Sequence, residues 1–391
     1  MRTLLLLWLF VAPSADTLQV MFWNVENFFD WRNDSTTVSD VEFSAAGERH
    51  WTWKRFQAKA NAFAKALFWV EAETGRLPDI IGLEEVENAF VLRQVLQKTA
   101  LRKLDYKYVH YDSPDHRGID VALLYRSSRL ELIDSKPCHL YAADSVMTTR
   151  DILLCVFQRA GTSVPPDPPS SVMPDSDRAS IVAFQEIPGQ AGNDGRGRAG
   201  KDGKGGAGKD GAFAVLVNHH PSKYGGAAES EPRRRIAVER LRFLADSLAA
   251  IGIDRIIAGG DFNDTPDNPV FRLLEPALAP MHMELFRRGL GTIKYDGKWD
   301  LIDHIYVSPA LLDAPMSAPA SDSSLGVTGR QEDTVGAPSA RARMRILRIP
   351  FLLTRDTVHS GEKPLRTYTG PRHTGGVSDH LPVLLEVPLP P

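Results

Sequence analysis

The sequence is poor in cysteine and carries almost no excess of either charge. Only Cys138 and Cys155 stand among its 391 residues, and two cysteines make a zinc site improbable. The net charge is −3 and the isoelectric point is near 6.4, which argues against a strongly basic protein that coats nucleic acid. A nuclease is not excluded, because a bound metal ion can hold phosphate without a basic surface.

Several familiar signatures are also missing. Beyond the N-terminus, no segment has the roughly 20 apolar residues that a transmembrane helix needs. The sequence has no repeat of solenoid period, no phosphate-binding glycine loop and no dinucleotide glycine fingerprint. It also lacks a serine or cysteine nucleophile with a plausible base. Membrane-spanning proteins, P-loop enzymes and covalent hydrolases are therefore disfavoured.

The N-terminus is typical of a secretory signal peptide over residues 1–16. Arg2 supplies a positive charge, Leu4 to Val11 form a short apolar core, and Ala12 to Ala15 are mostly small. This apolar core is too short to span a membrane. We therefore expect a secreted or periplasmic protein; the alternative is that the segment forms an apolar first strand. In an exported protein the two cysteines could form a disulfide, or they could remain buried free thiols.

Residues 17–391 alternate between apolar runs of strand length and helical stretches. Predicted buried strands are Val20 to Trp23, Ile80 to Leu83, Ile119 to Tyr125, Ile152 to Phe157, Phe213 to Val217, Arg255 to Ala258, His304 to Val307 and Val383 to Val387. Predicted helices are Arg55 to Glu71, Ala89 to Lys98, Arg235 to Ala250 and Val270 to Leu274. Because strands outnumber helices, the pattern favours a layered α/β sandwich over a doubly wound sheet.

Two low-complexity segments interrupt this pattern. Residues 161–211 are rich in glycine and proline, and residues 314–340 are rich in alanine, serine and proline. The glycine-rich segment cannot bury enough apolar surface to offset the entropy lost on ordering. We interpret both as insertions into a single domain.

Polar residues cluster where predicted strands end, which is where open α/β sheets gather their sites. Asn24 follows the first strand, and an amide oxygen there can support a metal or a phosphate. Glu85 belongs to an acidic run after the second strand, where a cation could bind, although such acids also suit a helix start. Neighbouring side chains in a strand alternate, so Glu84 and Glu85 should not both face one site.

Three further motifs complete the set. His219 leaves a buried strand beside Ser222 and Lys223, a grouping suited to a phosphate oxyanion. Asp261 and Asn263 follow a Gly-Gly turn on one face of an extended segment, where they could hold a water and a phosphate.

Near the C-terminus, Asp379 and His380 could supply a metal ligand and a proton acceptor. Asp303 could orient His380, because a carboxylate fixes the tautomer of an imidazole and raises its basicity. Each motif alone could be a turn or a surface pair. Together they favour metal-assisted attack by water.

The order of these motifs resembles the endonuclease/exonuclease/phosphatase superfamily. The matching stretches are Asn24-Val-Glu-Asn27, Leu83-Glu-Glu-Val86, Arg117-Gly-Ile-Asp120, Asn218-His219, Gly260-Asp-Phe-Asn263 and Ser378-Asp-His380. Three more are similar to its bacterial, often exported, endonuclease-like branch: His110 to Gly118, Thr149 to Ile152 and Arg366 to Gly370. The resemblance implies a four-layer α/β/β/α sandwich, in which helices flank two mixed, mostly antiparallel sheets.

The resemblance also implies a role for each matching residue. Glu85 and Asp379 match metal-binding acids, with Asn24 supporting the same metal, Mg²⁺ or Mn²⁺. Asp261 matches the residue that activates water. The implied phosphate contacts are His219, Asn263, His380 and, by a less direct match, Arg150. The position after His219 is usually aromatic in this family, whereas here it is His220, which we leave outside the site.

The resemblance leaves the substrate open. DNA or RNA is favoured, because Arg117, Arg150 and Lys223 could line a groove that tracks phosphates. The alternatives are a phosphomonoesterase, a phospholipid phosphodiesterase, or a non-catalytic binding module on the same fold. The intact set of polar residues speaks against the binding module. We expect a monomer.

Overall fold

The computed structural model describes residues 17–33, 37–161, 211–223, 226–312 and 342–388. The predicted signal peptide and nearly all of both predicted insertions lie outside these residues. None of the described helices combines the length and apolarity needed to cross a membrane.

Strands are the commonest elements of the described chain. In chain order they are β1 (Thr17–Phe28), β2 (Ile80–Val86), β3 (Tyr106–His110), β4 (Asp120–Arg126), β5 (Leu130–Cys138), β6 (Tyr141–Ala142), β7 (Ser145–Val146), β8 (Ile152–Arg159), β9 (Phe213–His219), β10 (Ile256–Asp261), β11 (Ala279–Pro280), β12 (Ile293–Tyr295), β13 (Lys298–Asp300), β14 (Asp303–Val307), β15 (Arg343–Ile346), β16 (Leu353–Arg355), β17 (Glu362–Pro364), β18 (Tyr368–Thr369), β19 (Arg372–His373) and β20 (Val383–Pro388).

The helices lie between these strands. They are α1 (Val38–Glu42), α2 (Trp53–Thr74), α3 (Ala89–Lys98), α4 (Ala227–Ala250), α5 (Met283–Arg287) and α6 (Pro309–Leu312), with 3-10 turns at Ala100–Lys103, Pro269–Leu274 and Pro350–Leu352. Local sequence sets the helix ends. The hydroxyl of Thr52 caps α2, Gly75 ends it in the left-handed region (φ 82°), and the amide of Asn88 caps α3.

Two six-stranded sheets form the centre of the fold. The first has the order β15-β20-β1-β2-β4-β3, and the second has the order β11-β14-β10-β9-β8-β5. Only β1 with β2 and β9 with β10 pair in parallel, and the other pairs in these sheets are antiparallel. The prediction of two mixed, mostly antiparallel sheets is confirmed.

The sheets pack face to face, with helices on both outer surfaces. The core between the sheets joins residues of one sheet, such as Phe22, to residues of the other, such as Ile257. At Gly259 the sheets come so close that an added Cβ would lie 2.4 Å from the ring of Phe22. A second core joins the first sheet to α2 and α3, and a third joins the second sheet to α4. The result is the expected α/β/β/α order.

The structure extends the predicted elements and adds edge strands. Helix α4 begins eight residues before the predicted start at Arg235, because Pro232 is accommodated inside it. The predicted helix at Val270 to Leu274 is a 3-10 turn. Strands β3, β5 and β15 were not predicted.

The two cysteines do not form a disulfide. Both are buried free thiols. Cys155 lies in the core between the sheets, whereas Cys138 lies in the core on the opposite face of the same sheet. The two strands that carry them, β5 and β8, pair with each other, as a disulfide would require. The two thiols nevertheless face different cores.

Candidate functional site

Strand pairing brings the predicted polar residues to one edge of the sandwich. Asn24 pairs with Glu84 across β1 and β2. Asp261 pairs with His219 on one side and with Asp303 on the other. The two parallel pairs end at the same edge, as the strand-end pattern predicts.

Unusual backbone turns aim the side chains at this edge. Gly260 has a φ of 129°, and a Cβ at this position would lie 2.1 Å from the carbonyl oxygen of Asn218, so only glycine fits. Glu85 (φ 65°) and Asn263 (φ 53°) also occupy the left-handed region. Such strain persists only where the surrounding structure holds it, and it is common at functional sites.

Asp261 lies at the centre of the site and is 2% exposed. Its Oδ2 accepts a hydrogen bond from Asn24 Nδ2 at 3.1 Å. The same oxygen lies 3.6 Å from His219 Nε2 and 3.9 Å from His380 Nε2. Its Oδ1 accepts the backbone N–H of Asn263 at 2.8 Å. Burial raises the pKa of Asp261 to about 7, opposed by the nearby His380.

Asp303 contacts His380, the residue that it was predicted to orient. Both carboxylate oxygens of Asp303 lie near His380 Nδ1, at 2.9 and 3.2 Å. Burial disfavours the imidazolium, but the carboxylates of Asp303 and Asp261 outweigh it and raise the pKa of His380 well above its usual value. His380 is therefore the cationic imidazole of the site.

His219 has the opposite character. Burial lowers the pKa of His219 well below its usual value, and the cations Arg150 and Arg117 add to this effect. A neutral imidazole can donate one hydrogen bond and accept another. The site therefore contains one neutral and one charged imidazole, both aimed at the same carboxylate.

The predicted metal-binding acids lie beside this group. Glu85 Oε1 is 3.9 Å from His219 Nε2, and Glu85 Oε2 accepts the N–H of Asn27 at 2.8 Å. Asp379 binds Arg366 Nη2 through Oδ2 at 2.8 Å. Asn24 uses its amide oxygen to accept the N–H of Glu26 at 2.9 Å, so here it supports the backbone and Asp261.

Ligand-type atoms of Asp261, Asp303 and His380 also lie within 4.8 Å of one another. We do not interpret this trio as a metal site. Asp303 already contacts Nδ1 of His380 at 2.9 Å, and Oδ2 of Asp261 already accepts a hydrogen bond from Asn24 at 3.1 Å.

Two of the residues predicted to contact the substrate lie close to acids of the protein itself. Arg117 Nη2 lies 3.6 Å from Glu85 Oε1 with its side chain 37% exposed, and Lys223 Nζ lies 2.7 Å from Asp264 Oδ1. Ser222 is partly buried just before Lys223.

Arg150 lies deeper than these residues and is 6% exposed. It donates to Asp115 Oδ2 and to the carbonyl of His220, at 2.9 and 2.8 Å. Asn263 Nδ2 donates to that same carbonyl at 3.0 Å. Arg150 and Asn263 therefore brace the turn that carries His219.

His220 faces away from the site, as expected. It is 1% exposed, and its ring lies 4.4 Å from that of Phe262. Burial lowers its pKa to about 3. It takes the structural place of the aromatic residue that is usual at this position.

Sequence reasoning missed several charged residues beneath the site. Glu84 is fully buried, and among the described residues neither of its carboxylate oxygens has a hydrogen-bond partner. Burial raises its pKa well above the usual value, and nearby Asp303 and Asp261 add to this effect. Strand alternation separates Glu84 from Glu85 as predicted, but it places Glu84 under the reacting groups rather than away from them.

Lys59 and Glu26 are also buried, at 3% and 5% exposure. A signal for Lys59 was present, because it falls on the apolar face of α2 between Phe56 and Phe63. Glu26 stands inside the Asn24 to Asn27 motif, but no role was predicted for it from the sequence.

Comparisons with known proteins agree with this fold. The model of the endonuclease/exonuclease/phosphatase family matches residues 19–163 and 203–388. A search of curated proteins finds no match.

Similar solved structures include the human Nocturnin catalytic domain with bound sulfate (15% identity, 95% of this chain and 94% of that chain covered, TM-score 0.47). Others are the mannosyl-6-phosphatase Bt3783 of Bacteroides thetaiotaomicron (13%, 95% and 99%, 0.47) and D. rerio TDP2 complexed with a single-strand DNA product (12%, 95% and 98%, 0.45). Since the family model spans most of the sequence, the chain belongs to the endonuclease/exonuclease/phosphatase family and is a metal-dependent hydrolase of phosphate esters.

Proposed function

We propose that this protein is a Mg²⁺- or Mn²⁺-dependent phosphodiesterase that cleaves DNA or RNA internally. The observation that carries the proposal is the position of Asp261. One of its oxygens faces Asn24, the neutral His219 and the cationic His380 within 3.1 to 3.9 Å. A buried carboxylate between two imidazoles suits proton transfer from an attacking water beside a charged phosphate.

The acids fit a hard divalent cation. Glu85 and Asp379 offer carboxylate oxygens, which Mg²⁺ and Mn²⁺ prefer. Arg366 binds Oδ2 of Asp379, and among the described residues no hydrogen bond reaches Oδ1, so this oxygen remains available to a ligand. When bound, the cation would neutralise phosphoryl oxygens and the leaving oxygen.

The chain's own residues supply the remaining chemistry. Asp261, oriented by Asn24, accepts the proton of the attacking water. His380, kept cationic by Asp303, stabilises the negative charge that develops on the phosphate. His219 donates a hydrogen bond to the same group without adding charge, and Asn263 and Arg150 hold the turn on which it stands.

Nucleic acid is the favoured substrate because cations stand at the rim of the site. Arg117 and Lys223 are 37% and 43% exposed; Arg117 lies near Glu85 and Asp115, and Lys223 lies near Asp264. A phosphate backbone could displace these partners and track along the rim. We propose that Ser222, beside Lys223, contributes a hydroxyl contact to the same backbone.

The direct test is nicking of plasmid DNA by the purified protein. We expect activity that EDTA abolishes and Mg²⁺ or Mn²⁺ restores, and that Asp261→Ala and His380→Ala each remove. Asp254→Ala is a matched control, because this exposed aspartate precedes the opposite end of β10. Near-wild-type activity of both site variants would reject the assignment.

The same preparation decides the substrate class. RNA, inositol phosphates and sphingomyelin are assayed beside plasmid DNA. Hydrolysis confined to a small phosphate ester or to the lipid would favour a phosphomonoesterase or a phospholipid phosphodiesterase. Absence of hydrolysis on every substrate, with metal present, would favour a binding module.

We also propose that the protein is exported and monomeric. The N-terminal pattern of residues 1–16 supports export. N-terminal sequencing of the protein recovered outside the cytoplasm would show a mature chain starting near residue 17. An intact Met1 on the cell-associated protein would oppose export, and a dimer mass in solution would oppose the monomer.

A further inference from the structure

Arg366 joins two acids at the metal side of the site. Its Nε donates to Glu26 Oε1 at 3.1 Å, and its Nη2 donates to Asp379 Oδ2 at 2.8 Å. Glu26 belongs to the motif at the end of β1, and Arg366 begins the stretch 366–370. The proposed reaction uses neither residue, although both lie in stretches that resemble the family.

Glu26 is fixed from two directions. Its Oε2 accepts the backbone N–H of Thr367 at 2.7 Å, directly beside Arg366. Its backbone has a φ of 46° and its N–H is held by Asn24 Oδ1. The carboxylate therefore cannot swing away without breaking its contacts to Arg366 and to the backbone of Thr367.

Lys59 binds the same two segments from the buried side of the site. Its Nζ donates to the carbonyl of Glu26 and, at 2.9 Å, to Thr367 Oγ1. That hydroxyl donates in turn to the carbonyl of Val377 at 3.1 Å, two residues before Asp379. A buried lysine of α2 thus ties together the three segments that carry Glu26, Arg366 and Asp379.

We propose that Arg366, held by Glu26 and Lys59, is a positioning residue that aims Asp379 at the divalent cation. The inference rests on the proposed function, in which Asp379 is a metal ligand. Arg366 occupies Oδ2 of Asp379 and leaves Oδ1 available, so the guanidinium selects which oxygen faces the metal. A guanidinium suits this task because its donors form a rigid fork.

Charge and orientation predict opposite results, which makes the idea testable. Removal of a cation next to a metal ligand would strengthen metal binding if only charge mattered. Removal of a partner that orients a metal ligand typically weakens metal affinity about 10–100-fold. We therefore expect Arg366→Met to bind Mn²⁺ about 10–100-fold more weakly than the wild type.

The measurement is Mn²⁺ affinity of the full chain, by electron paramagnetic resonance of the free ion and by calorimetry. Arg49→Met is the matched control, because Arg49 lies on the same loop surface but binds Glu42 and the carbonyl of Gly370. It should retain wild-type affinity. Unchanged or tighter binding by Arg366→Met would overturn the inference, as would equal weakening by Arg49→Met.

Two further variants keep the proposal testable if Arg366→Met fails to fold. Arg366→Lys keeps the positive charge but cannot bind Glu26 and Asp379 at the same time. Glu26→Gln keeps the shape of the side chain but weakens its hydrogen bond with Arg366. Both should weaken Mn²⁺ binding with an unchanged melting temperature, and wild-type affinity in both would reject positioning. If the wild-type protein itself binds no Mn²⁺, the proposed function fails instead.

Discussion

The pairing of Asp303 with His380 allows one perturbation to be worked out in detail. Asp303→Asn keeps the shape of the side chain and an oxygen that can accept from His380 Nδ1. It removes the negative charge that lies 2.9 Å from that nitrogen. Because Asp303 is the largest influence that favours the imidazolium, the pKa of His380 should fall in the variant.

The kinetic effect follows from the lost charge. His380 would be neutral in a larger fraction of molecules at neutral pH, and it would stabilise the developing phosphate charge less well. Removal of one preorganised group of this kind costs about 10²–10³ in rate, or about 2.7–4 kcal/mol of the barrier. We expect kcat to fall by that factor while KM changes little, because substrate binding does not depend on this charge alone.

The assay is the initial rate of plasmid nicking under saturating Mg²⁺, together with an NMR titration of the His380 ring. Asp300→Asn is the control, because it lies three residues upstream and its carboxylate lies 3.4 Å from the exposed Lys298. Asp303→Asn with a rate within about threefold of the wild type and an unshifted His380 titration would refute the reasoning.

Three further outcomes follow from the same contacts. Burial raises the pKa of Asp261 to about 7, and only the ionised form accepts a proton, so activity should rise with pH as Asp261 loses its proton. Asp303 contributes to the raised pKa, so Asp303→Asn should shift this rise in activity to lower pH. A pH–rate profile that is flat from 5 to 8 would contradict this. Arg150→Met removes the cation that donates to Oδ2 of the buried Asp115 at 2.9 Å and leaves this carboxylate beside the more distant Arg117 at 4.0 Å, so unfolding in urea should show a loss of about 3–5 kcal/mol; Arg235→Met, whose exposed guanidinium binds the exposed Glu239, should change stability little. Gly260→Ala should cost about 1–3 kcal/mol from backbone strain alone and more from the clash; Gly252→Ala, also at positive φ (87°) but with no atom within 4 Å of the added Cβ, shows the cost of a strained backbone without a clash.

The sequence was sufficient for the central strands and for the reacting groups. Strands such as Ile256–Asp261 are buried at every position, so continuous apolar runs reveal them. Because sites gather at strand ends, His219, Asp261 and Asp303 could be predicted to lie at the same edge. Pairing between neighbouring strands places these three residues side by side.

The edge strands could not be found in the same way. Most positions of β5 are only half-buried, and Pro137 lies within the strand. Strand β15 has only four residues, of which Met344 alone is buried. Edge strands have a weaker apolar pattern because one side of the strand faces solvent or a loop rather than a partner.

The charged residues behind the site were missed for a different reason. A buried Lys59 or Glu84 is improbable in isolation, because an unpaired charge in the interior is costly. Lys59 is buried against a partner far away in sequence, Thr367, 308 residues later, and the raised pKa of Glu84 favours its neutral form. Local patterns contain no information about such pairs, whereas the motifs at strand ends could be read from neighbouring residues.

These contacts explain how a nearly neutral protein can act on a phosphate ester. Acids and cations lie paired within the site, as Arg117 with Glu85 and Arg366 with Asp379. Glu84 lies beneath Asp261 and Asp303, where burial and these two carboxylates raise its pKa well above the usual value and favour its neutral form. The charge of the remaining acids is balanced by the imidazolium of His380 on one side and would be balanced by a divalent cation on the other. Phosphate is then attracted by the bound cation and His380, not by the net charge of the chain.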